Sequence, residues 1–151
     1  MARQRAQIIA SKRLVLDANI LLRAVFGVRV RGLLEAYEDS VSFHCPDVCL
    51  EDARKYIPNV AARKSLDQAS CLVALDEIAK IVAIVERGLY SDFKSPALAR
   101  IASRDPGDWP IVATAMLLDA PIWTEDYDFF GVGIATWISD RVEQYLRATP
   151  E

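Results

Sequence analysis

Short apolar runs alternate with longer helical patterns along the chain, and this alternation limits the fold more than any other feature of the sequence. The runs cover residues 14–16, 41–45, 81–85, 121–123 and 134–138, which gives about five predicted strands. Strands that are separated by helices form parallel sheets with helices packed on their faces. We therefore expect an α/β fold with a central, mainly parallel sheet.

Capping and helix-breaking residues set the expected ends of the helices. Asn19 is the predicted N-cap of the first helix, and Gly27 is its predicted end. Asp47 is the predicted N-cap of the helix after the second strand, and we expect that helix to break at Pro58 because proline removes a backbone donor. Residues 88–104 are expected to be irregular and then helical.

The length and the apolar pattern indicate one domain without a membrane span. A chain of 151 residues suffices for a single core, and we expect an N-terminal extension over residues 1–12 followed by one domain over residues 13–148. The longest apolar stretch, residues 111–118, predicts a buried helix and falls short of the roughly 20 residues that cross a bilayer. The first residues lack the apolar segment of a secretory signal, so we expect a cytoplasmic protein.

Cysteine content and net charge exclude several classes of site. Cys45, Cys49 and Cys71 are odd in number and form no C-x-x-C pair, so we expect neither a disulfide framework nor a zinc site. We interpret them as buried apolar side chains. The net charge of −3 argues against a protein whose entire surface binds nucleic acid, but it permits a local basic groove.

Acidic residues fall at positions that converge on one edge of the predicted sheet. Asp17, Asp126 and Asp128 follow predicted strands. Glu51 and Asp108 lie in the first turns of helices that follow loops from the same edge. Open α/β sheets bind ligands at the carboxyl ends of their strands. Carboxylates about 4 Å apart repel by roughly 4 kcal/mol per pair at an effective dielectric near 20, and a divalent cation would offset that repulsion.

Magnesium and manganese are the cations predicted for such a site. Both prefer oxygen ligands and bind the phosphate oxygens of substrates, and the predicted ligand set contains no histidine. Such ions lower the pKa of a bound water and neutralise charge on a leaving oxygen, which favours phosphodiester hydrolysis. The single histidine, His44, is interpreted as a strand-end residue that a neighbour satisfies.

Four segments of the chain resemble the PIN domain family in order and spacing. They are LDANILLRAVFG, PDVCLEDARKYIP, RDPGDWPIVATAMLL and PIWTEDYDFFG, and the pattern is similar to that of the VapC-like toxin branch. The resemblance implies a three-layer α/β/α fold with a central, mainly parallel sheet. It also implies a set of metal-binding and catalytic acids with two polar neighbours, namely Asp17, Glu51, Asp108 and Asp126 with Asn19 and Thr124.

The same resemblance implies an endoribonuclease that uses Mg²⁺ or Mn²⁺ to hydrolyse RNA and leaves 5′-phosphate and 3′-hydroxyl ends. Many relatives are toxins that a cognate antitoxin inhibits, and homodimers are common in the family. A non-catalytic PIN-like binding module is the alternative function. A domain that is itself phosphorylated on a strand-end Asp fits less well, because the chain lacks the accompanying acids and the late lysine of such domains.

Several of the acids have a structural alternative. Asp105 and Asp108 could each cap a helix or lie favourably near its positive end. We assign Asp108 to the metal and Asp105 to the cap, with a supporting role. Asp52 is adjacent to Glu51, and one residue rotates a side chain by about 100° around a helix, so one of the two faces the site and we favour Glu51.

The segment after the fourth strand contains three acids. The family pattern selects Asp126, with Asp128 next as a supporting residue. Glu125 is expected to point to solvent.

Two further groups of side chains could contact nucleic acid. Trp109, Trp123 and Trp137 could stack on bases, but we favour core packing for each. Basic residues in and just after the helix of Glu51 could bind the RNA backbone or form an ordinary solvated face. These basic residues are Arg54, Lys55, Arg63 and Lys64.

Overall fold

The computed structural model describes residues 12–148, in which five parallel strands form one sheet in the order β3-β2-β1-β4-β5. The strands are β1 (Arg13–Leu16), β2 (Ser42–Pro46), β3 (Val82–Val85), β4 (Ile122–Trp123) and β5 (Thr136–Trp137). The predicted α/β class with a parallel sheet of about five strands is confirmed. Of the predicted N-terminal extension over residues 1–12, all but Lys12 lies outside the described residues.

Helices cover the sheet on both faces. They are α1 (Ala18–Phe26), α2 (Arg29–Tyr37), α3 (Asp47–Arg63), α4 (Gln68–Ile78), α5 (Arg87–Tyr90), α6 (Lys94–Ile101), α7 (Trp109–Leu118) and α8 (Val142–Arg147). Helices α1 to α4 pack on one another, and α5 to α7 form a second group. The sheet contacts α3 of the first group and α7 of the second, which gives the three-layer α/β/α arrangement. Among the described residues, no helix is long and apolar enough to cross a membrane.

The core lies between the two helical layers and includes the central strand. Leu14, Val15 and Leu16 of β1 are fully buried. A parallel sheet covered on both faces requires such continuous apolar strands. In α7, residues 110–115 are all buried, as the apolar pattern of that segment predicted. The three cysteines are free and buried, which agrees with their interpretation as apolar side chains.

Helix α3 does not break at Pro58, so that prediction was wrong. The helix continues through Pro58 to Arg63. A proline inside a helix costs about 3 kcal/mol. The second half of α3 nevertheless places Ile57 and Ala61 in the core with no exposed surface. A fully buried side chain such as isoleucine contributes about 1.5–3 kcal/mol to stability. Burial of these two side chains is therefore of the same order as the cost of the proline, which lets the helix continue.

Two predicted N-caps were also wrong. Asp17, and not Asn19, caps α1, and its side chain accepts hydrogen bonds from the backbone of the first turn. Asp47 is the first residue of α3 and follows the N-cap Pro46. Its carboxylate is free to accept hydrogen bonds from outside the helix, and it does so from the backbone N–H of Arg87 (3.0 Å) and the hydroxyl of Tyr90 (2.7 Å).

The segment before α7 contains more helix than predicted. Helix α5, a short 3-10 turn over Ser91–Phe93, and α6 follow β3 in close succession. Tyr90, Ala97 and Ile101 from this segment are fully buried. The 88–104 region therefore belongs to the core packing of the second helical layer and positions residues beside the carboxyl edge of the sheet.

Candidate metal centre

Asp17 lies at the carboxyl end of β1 and is 4% exposed. Its Oδ1 accepts hydrogen bonds from the backbone N–H of Asn19 (3.1 Å) and of Ile20 (3.3 Å), so the carboxylate caps α1. Its Oδ2 accepts hydrogen bonds from Asn19 Nδ2 (2.9 Å) and from the Thr124 hydroxyl. The chain's own donors therefore fix the orientation of this buried carboxylate.

Thr124 follows β4 and joins that segment to Asp17. The residue is fully buried, and its hydroxyl donates to Asp17 while it accepts a hydrogen bond from the backbone N–H of Asp126 (2.9 Å). The Asn19 side chain adds a second connection, because its Oδ1 accepts from the backbone N–H of Glu125 (3.3 Å). The loop after β4 is thereby held against the start of α1.

Asp126 begins a 3-10 turn over Tyr127–Phe129. Its Oδ1 accepts a hydrogen bond from the backbone N–H of Asp128 (2.9 Å), so one carboxylate oxygen has a structural role and the turn places Asp128 nearby.

Asp105, Asp108 and Asp128 form the tightest group of acids among the described residues. Each can offer one carboxylate oxygen within 4.8 Å of the other two. Asp105 caps the 3-10 turn over Pro106–Asp108 and accepts from the backbone N–H of Gly107 (3.0 Å), which confirms its predicted role as a cap. Side chains three residues apart eclipse in a 3-10 turn, and this spacing brings Asp105 and Asp108 together.

One oxygen of Asp108 has no hydrogen-bond partner among the described residues. The atom is Oδ2, and it is buried. Leaving a buried carboxylate oxygen without a donor is unfavourable, and such groups in native proteins call for an explanation such as an ion. The arrangement of oxygen donors around this atom fits a hard divalent cation.

Electrostatics connect all five acids at this edge of the sheet. The pKa of Asp17 is raised to about 7, chiefly by burial and also by the charge of Asp126, while the hydrogen bonds from Thr124 and the first turn of α1 act in the opposite direction. The pKa of Asp108 is likewise raised to about 7, chiefly by burial. The neighbouring carboxylates that add to this shift are, in order of effect, Asp105, Asp126, Asp17 and Asp128.

Three of the four acids selected from the sequence thus come together, namely Asp17, Asp108 and Asp126. Glu51 differs from them, because no described contact joins it to the other acids; both Glu51 and its neighbour Asp52 are exposed on α3. Asp105 and Asp128, which the sequence suggested as supporting residues, belong to the tightest group.

Asp52, the neighbour of Glu51 on α3, lies on a different side of the helix from Glu51. Burial raises the pKa of the Cys49 thiol, and the charges of Asp17 and Asp52 raise it further. Asp52 follows Cys49 by three residues and lies about 60° from it around the helix, whereas Glu51 lies about 160° away. Asp52 is therefore on the side of α3 that is closer to Asp17.

A family model described as a PIN domain matches residues 15–147. The chain belongs to the PIN domain family. The matched range contains every acid of the centre. PIN domains are generally ribonucleases, and membership places this chain among nuclease families.

Two solved structures share the fold of this PIN domain. PAE2754 from Pyrobaculum aerophilum has a TM-score of 0.69 and 13% sequence identity, with 92% of each chain covered. A chain of VapBC2 from Rickettsia felis, solved with a DNA fragment from the promoter, has a TM-score of 0.66 and 13% identity, and covers 83% of this chain and 98% of that chain. The resemblance to VapC-like PIN domains is thereby confirmed at the level of the fold. Among curated proteins, no match was found.

Glu125 does not point to solvent, so that prediction was wrong. It is half-buried in this PIN domain, and its Oε1 accepts a hydrogen bond from the backbone N–H of Ser139 (2.8 Å). The residue joins the loop after β4 to the segment between β5 and α8. The alternation of side chains along an extended segment could not reveal this long-range contact.

The three tryptophans of the PIN domain differ in their surroundings. Trp123 is fully buried, and its Nε1 donates to Ser139 Oγ (3.0 Å), as expected for a core residue. Trp137 is half-buried and packs on Tyr145 at 5.8 Å between ring centroids. Trp109 is also half-buried and adjoins Asp108 at the start of α7.

His44 lies in β2 and takes no part in the acidic centre. Its Nε2 is buried without a hydrogen-bond partner among residues 12–148, contrary to the expectation that a neighbour satisfies it. Burial lowers the pKa of the imidazole, and the charge of Arg13 lowers it further, which favours the neutral ring.

The basic residues selected from the sequence lie on the surface of α3 and just beyond it. Arg54 forms an ion pair with Asp76 at 2.9 Å, so its charge is partly neutralised. Lys55, Arg63 and Lys64 are exposed. Lys64 also lines a groove of about 740 Å³ that begins beside the acids at Asn19.

Proposed function

We propose that this PIN domain is a metal-dependent endoribonuclease. Asp17, Asp108 and Asp126 would hold Mg²⁺ or Mn²⁺, and Asp105 and Asp128 would support them. The observation that carries the proposal is the buried, unpartnered Oδ2 of Asp108 in the midst of four other carboxylates. This is a set of hard oxygen donors, and among the described residues no cationic side chain donates a hydrogen bond to these carboxylates.

A bound divalent ion supplies an activated water and neutralises charge on the leaving oxygen of a phosphodiester. The chain's own contribution is to hold the carboxylates in place before the substrate arrives. Thr124 and Asn19 orient Asp17 through their side-chain hydrogen bonds. The turn that follows Asp126 sets the position of Asp128.

For the fourth acid, we propose that Asp52 takes the role that the sequence pattern gave to Glu51. The charge of Asp52 acts on the buried Cys49 thiol together with that of Asp17, whereas Glu51 is directed away from that side of α3. A pair of isosteric variants, Asp52→Asn and Glu51→Gln, tests the choice. We expect Asp52→Asn to lower the rate of RNA cleavage and Glu51→Gln to leave it near the wild-type rate. The reverse order would restore Glu51 to the site.

RNA is the substrate proposed for the centre, and the exposed lysines and arginine after Glu51 are proposed to contact its backbone. These residues are Lys55, Arg63 and Lys64, with Arg54 beside them. The structural likeness to a VapBC2 chain supports, as a further proposal, a cognate antitoxin partner. A homodimer is proposed on the family resemblance alone. A cytoplasmic location is part of the same proposal.

The deciding experiment is cleavage of a mixed RNA pool by the purified protein with Mn²⁺, with Mg²⁺ and with EDTA, followed by mapping of the product ends. We expect metal-dependent cleavage that leaves 5′-phosphates and that is lost in Asp108→Asn. Asp119→Asn is the matched control, because Asp119 ends the same helix and is exposed in a left-handed conformation that asparagine also adopts. Absence of cleavage, together with no metal-induced stabilisation, would favour a non-catalytic PIN-like binding module.

A further inference from the structure

A second polar cluster lies beside the acids, and it is basic. Arg87 and Lys94 both approach the ring of Trp109, with the Arg87 guanidinium carbon 5.4 Å and Lys94 Nζ 5.0 Å from the ring centroid. Trp109 in turn packs on Tyr90 at 5.6 Å between centroids. We call Arg87, Lys94 and Trp109 the cationic cluster. Cations above an indole ring are attracted to its negative face, and this attraction orders two otherwise flexible side chains.

The backbone that carries the cationic cluster is anchored to the sheet. Asp47, next to the end of β2, accepts hydrogen bonds from the backbone N–H of Arg87 and from the hydroxyl of Tyr90. Tyr90 itself is fully buried. The carboxylate of Asp47 thus fixes the start of α5 through hydrogen bonds from neutral donors, and among the described residues it forms no direct ion pair with the guanidinium of Arg87.

The two cations of the cluster keep their charge available. Within residues 12–148, neither Arg87 nor Lys94 forms an ion pair with a carboxylate, and both side chains are exposed. Some other exposed cations of the chain are paired, as in Arg29 with Asp140 at 2.8 Å. Two like charges over one ring repel each other, and a bound anion would relieve this repulsion.

The cationic cluster lies at the same edge of the sheet as the metal centre. Trp109 follows Asp108 directly, and α5 begins two residues after the end of β3. Since β3 is two strands away from β1, its end lies roughly 10 Å from the end of β1 across the sheet. A nucleic-acid strand with one phosphate at the acids would therefore pass over the cluster within its next few phosphates.

We propose that Arg87 and Lys94, ordered by Trp109, form a phosphate-binding subsite that holds the RNA strand to one side of the metal centre. The inference rests on the proposed ribonuclease function and gives Lys94, within the 88–104 region, a role beyond its place in a helix. The subsite contacts the backbone and not the bases, because both of its polar groups are cations. It supplies a local positive surface on a chain whose net charge is −3.

The test measures RNA binding separately from cleavage. A fluorescent, single-stranded RNA of mixed sequence is titrated with protein in EDTA, and the anisotropy is followed from low salt to 1 M salt. Each phosphate contact to a single strand contributes about 0.7 to the slope of log affinity against log salt, so Arg87→Gln/Lys94→Gln should reduce the slope by about 1.4. If the affinities converge at 1 M salt, this slope corresponds to about 25-fold weaker binding at 0.1 M.

Two further variants distinguish RNA binding at the subsite from a general effect of net charge. Arg31→Gln/Lys80→Gln removes the same charge from exposed, ion-paired cations that line a different pocket, and we expect it to bind RNA as the wild type does. Trp109→Phe retains both charges and an aromatic core contact, so it should weaken binding modestly and leave the slope unchanged.

Each remaining outcome decides against the subsite in a recognisable way. Equal losses in the two double variants would show an effect of net charge and would overturn the proposal. Wild-type binding by Arg87→Gln/Lys94→Gln, with metal-dependent cleavage intact, would overturn the subsite and leave the ribonuclease function standing. A wild-type protein that neither binds nor cleaves RNA would overturn both. If the cluster variant lost affinity for polyglutamate and not for RNA, the surface would belong to an acidic protein partner.

Discussion

The Thr124 hydroxyl connects two acids of the metal centre that are distant from each other in the chain. It donates to Asp17 and accepts from the backbone of Asp126, and it is fully buried. The sequence predicted Thr124 as a polar neighbour of the site through its family resemblance. Its double role could not be predicted, because it depends on the pairing of β1 with β4, which the sequence did not order.

Thr124→Val is expected to destabilise the protein by about 1–3 kcal/mol, because it leaves the backbone N–H of Asp126 without its acceptor and removes one of the two side-chain donors to Asp17 Oδ2. Urea unfolding followed by circular dichroism measures the change. Thr124→Ser keeps the hydroxyl and should lose less stability than Thr124→Val. Equal losses in the two variants would mean that the methyl group, and not the hydrogen bonds, accounts for the effect.

Arg104, three residues after the end of α6, holds the loop that carries the last acids of the centre. Arg104 donates to the backbone carbonyls of Tyr127 (3.4 Å), Asp128 (3.3 Å) and Phe130. Gly131, which follows, has a φ of +87°, and a Cβ there would lie 2.9 Å from Arg104 Nη2. The arginine thus fits against a backbone that glycine alone adopts easily.

Arg104→Gln should loosen the loop that presents Asp128 and so weaken metal binding. Removing a residue that holds a metal ligand in its orientation typically lowers metal affinity by 10- to 100-fold. We therefore expect a loss of about tenfold or more in Mn²⁺ affinity, measured by calorimetry. Arg147→Gln, an exposed charge change in α8, is the control. Unchanged affinity in Arg104→Gln would show that Asp128 is positioned without this arginine.

Individual elements show where sequence patterns are reliable. The strand-end position of Asp17 and the buried helix after Asp108 were predicted, because each depends on a local run of apolar residues. The continuation of α3 past Pro58 was not, since it depends on core contacts of Ala61 that form only in the folded chain. Which of Asp52 and Glu51 faces the other acids likewise depends on how α3 is rotated against β1, and the sequence of the helix alone does not fix that rotation.

The acidic centre couples the stability of the whole molecule to pH. In the metal-free protein, the pKa of Asp17 and of Asp108 is raised from 3.8 to about 7. A carboxyl group with a raised pKa in the folded state stabilises that state at low pH, and this stabilisation is lost as pH rises from about 4 through 7. The protonated centre is therefore the more stable one when no cation is bound.

Thermal unfolding in EDTA should accordingly show that the stability of the wild type declines between pH 5 and pH 8. The stability of Asp108→Asn should decline less over the same range. Adding Mn²⁺ at pH 8 should restore stability, by about 2.7 kcal/mol at a concentration 100 times the dissociation constant. Asp119→Asn should respond to Mn²⁺ as the wild type does. A wild-type melting temperature that changes with neither pH nor Mn²⁺ would contradict the predicted repulsion among the acids.

The two outer strands of the sheet are short: β5 pairs through two residues, and β3 spans four. An edge of this length exposes few unpaired backbone groups, so it is a poor template for another chain to extend the sheet. The molecule should therefore resist ordered aggregation at high concentration. Two copies that associate would contact each other through their helices, and the edge strands of the two sheets would not pair.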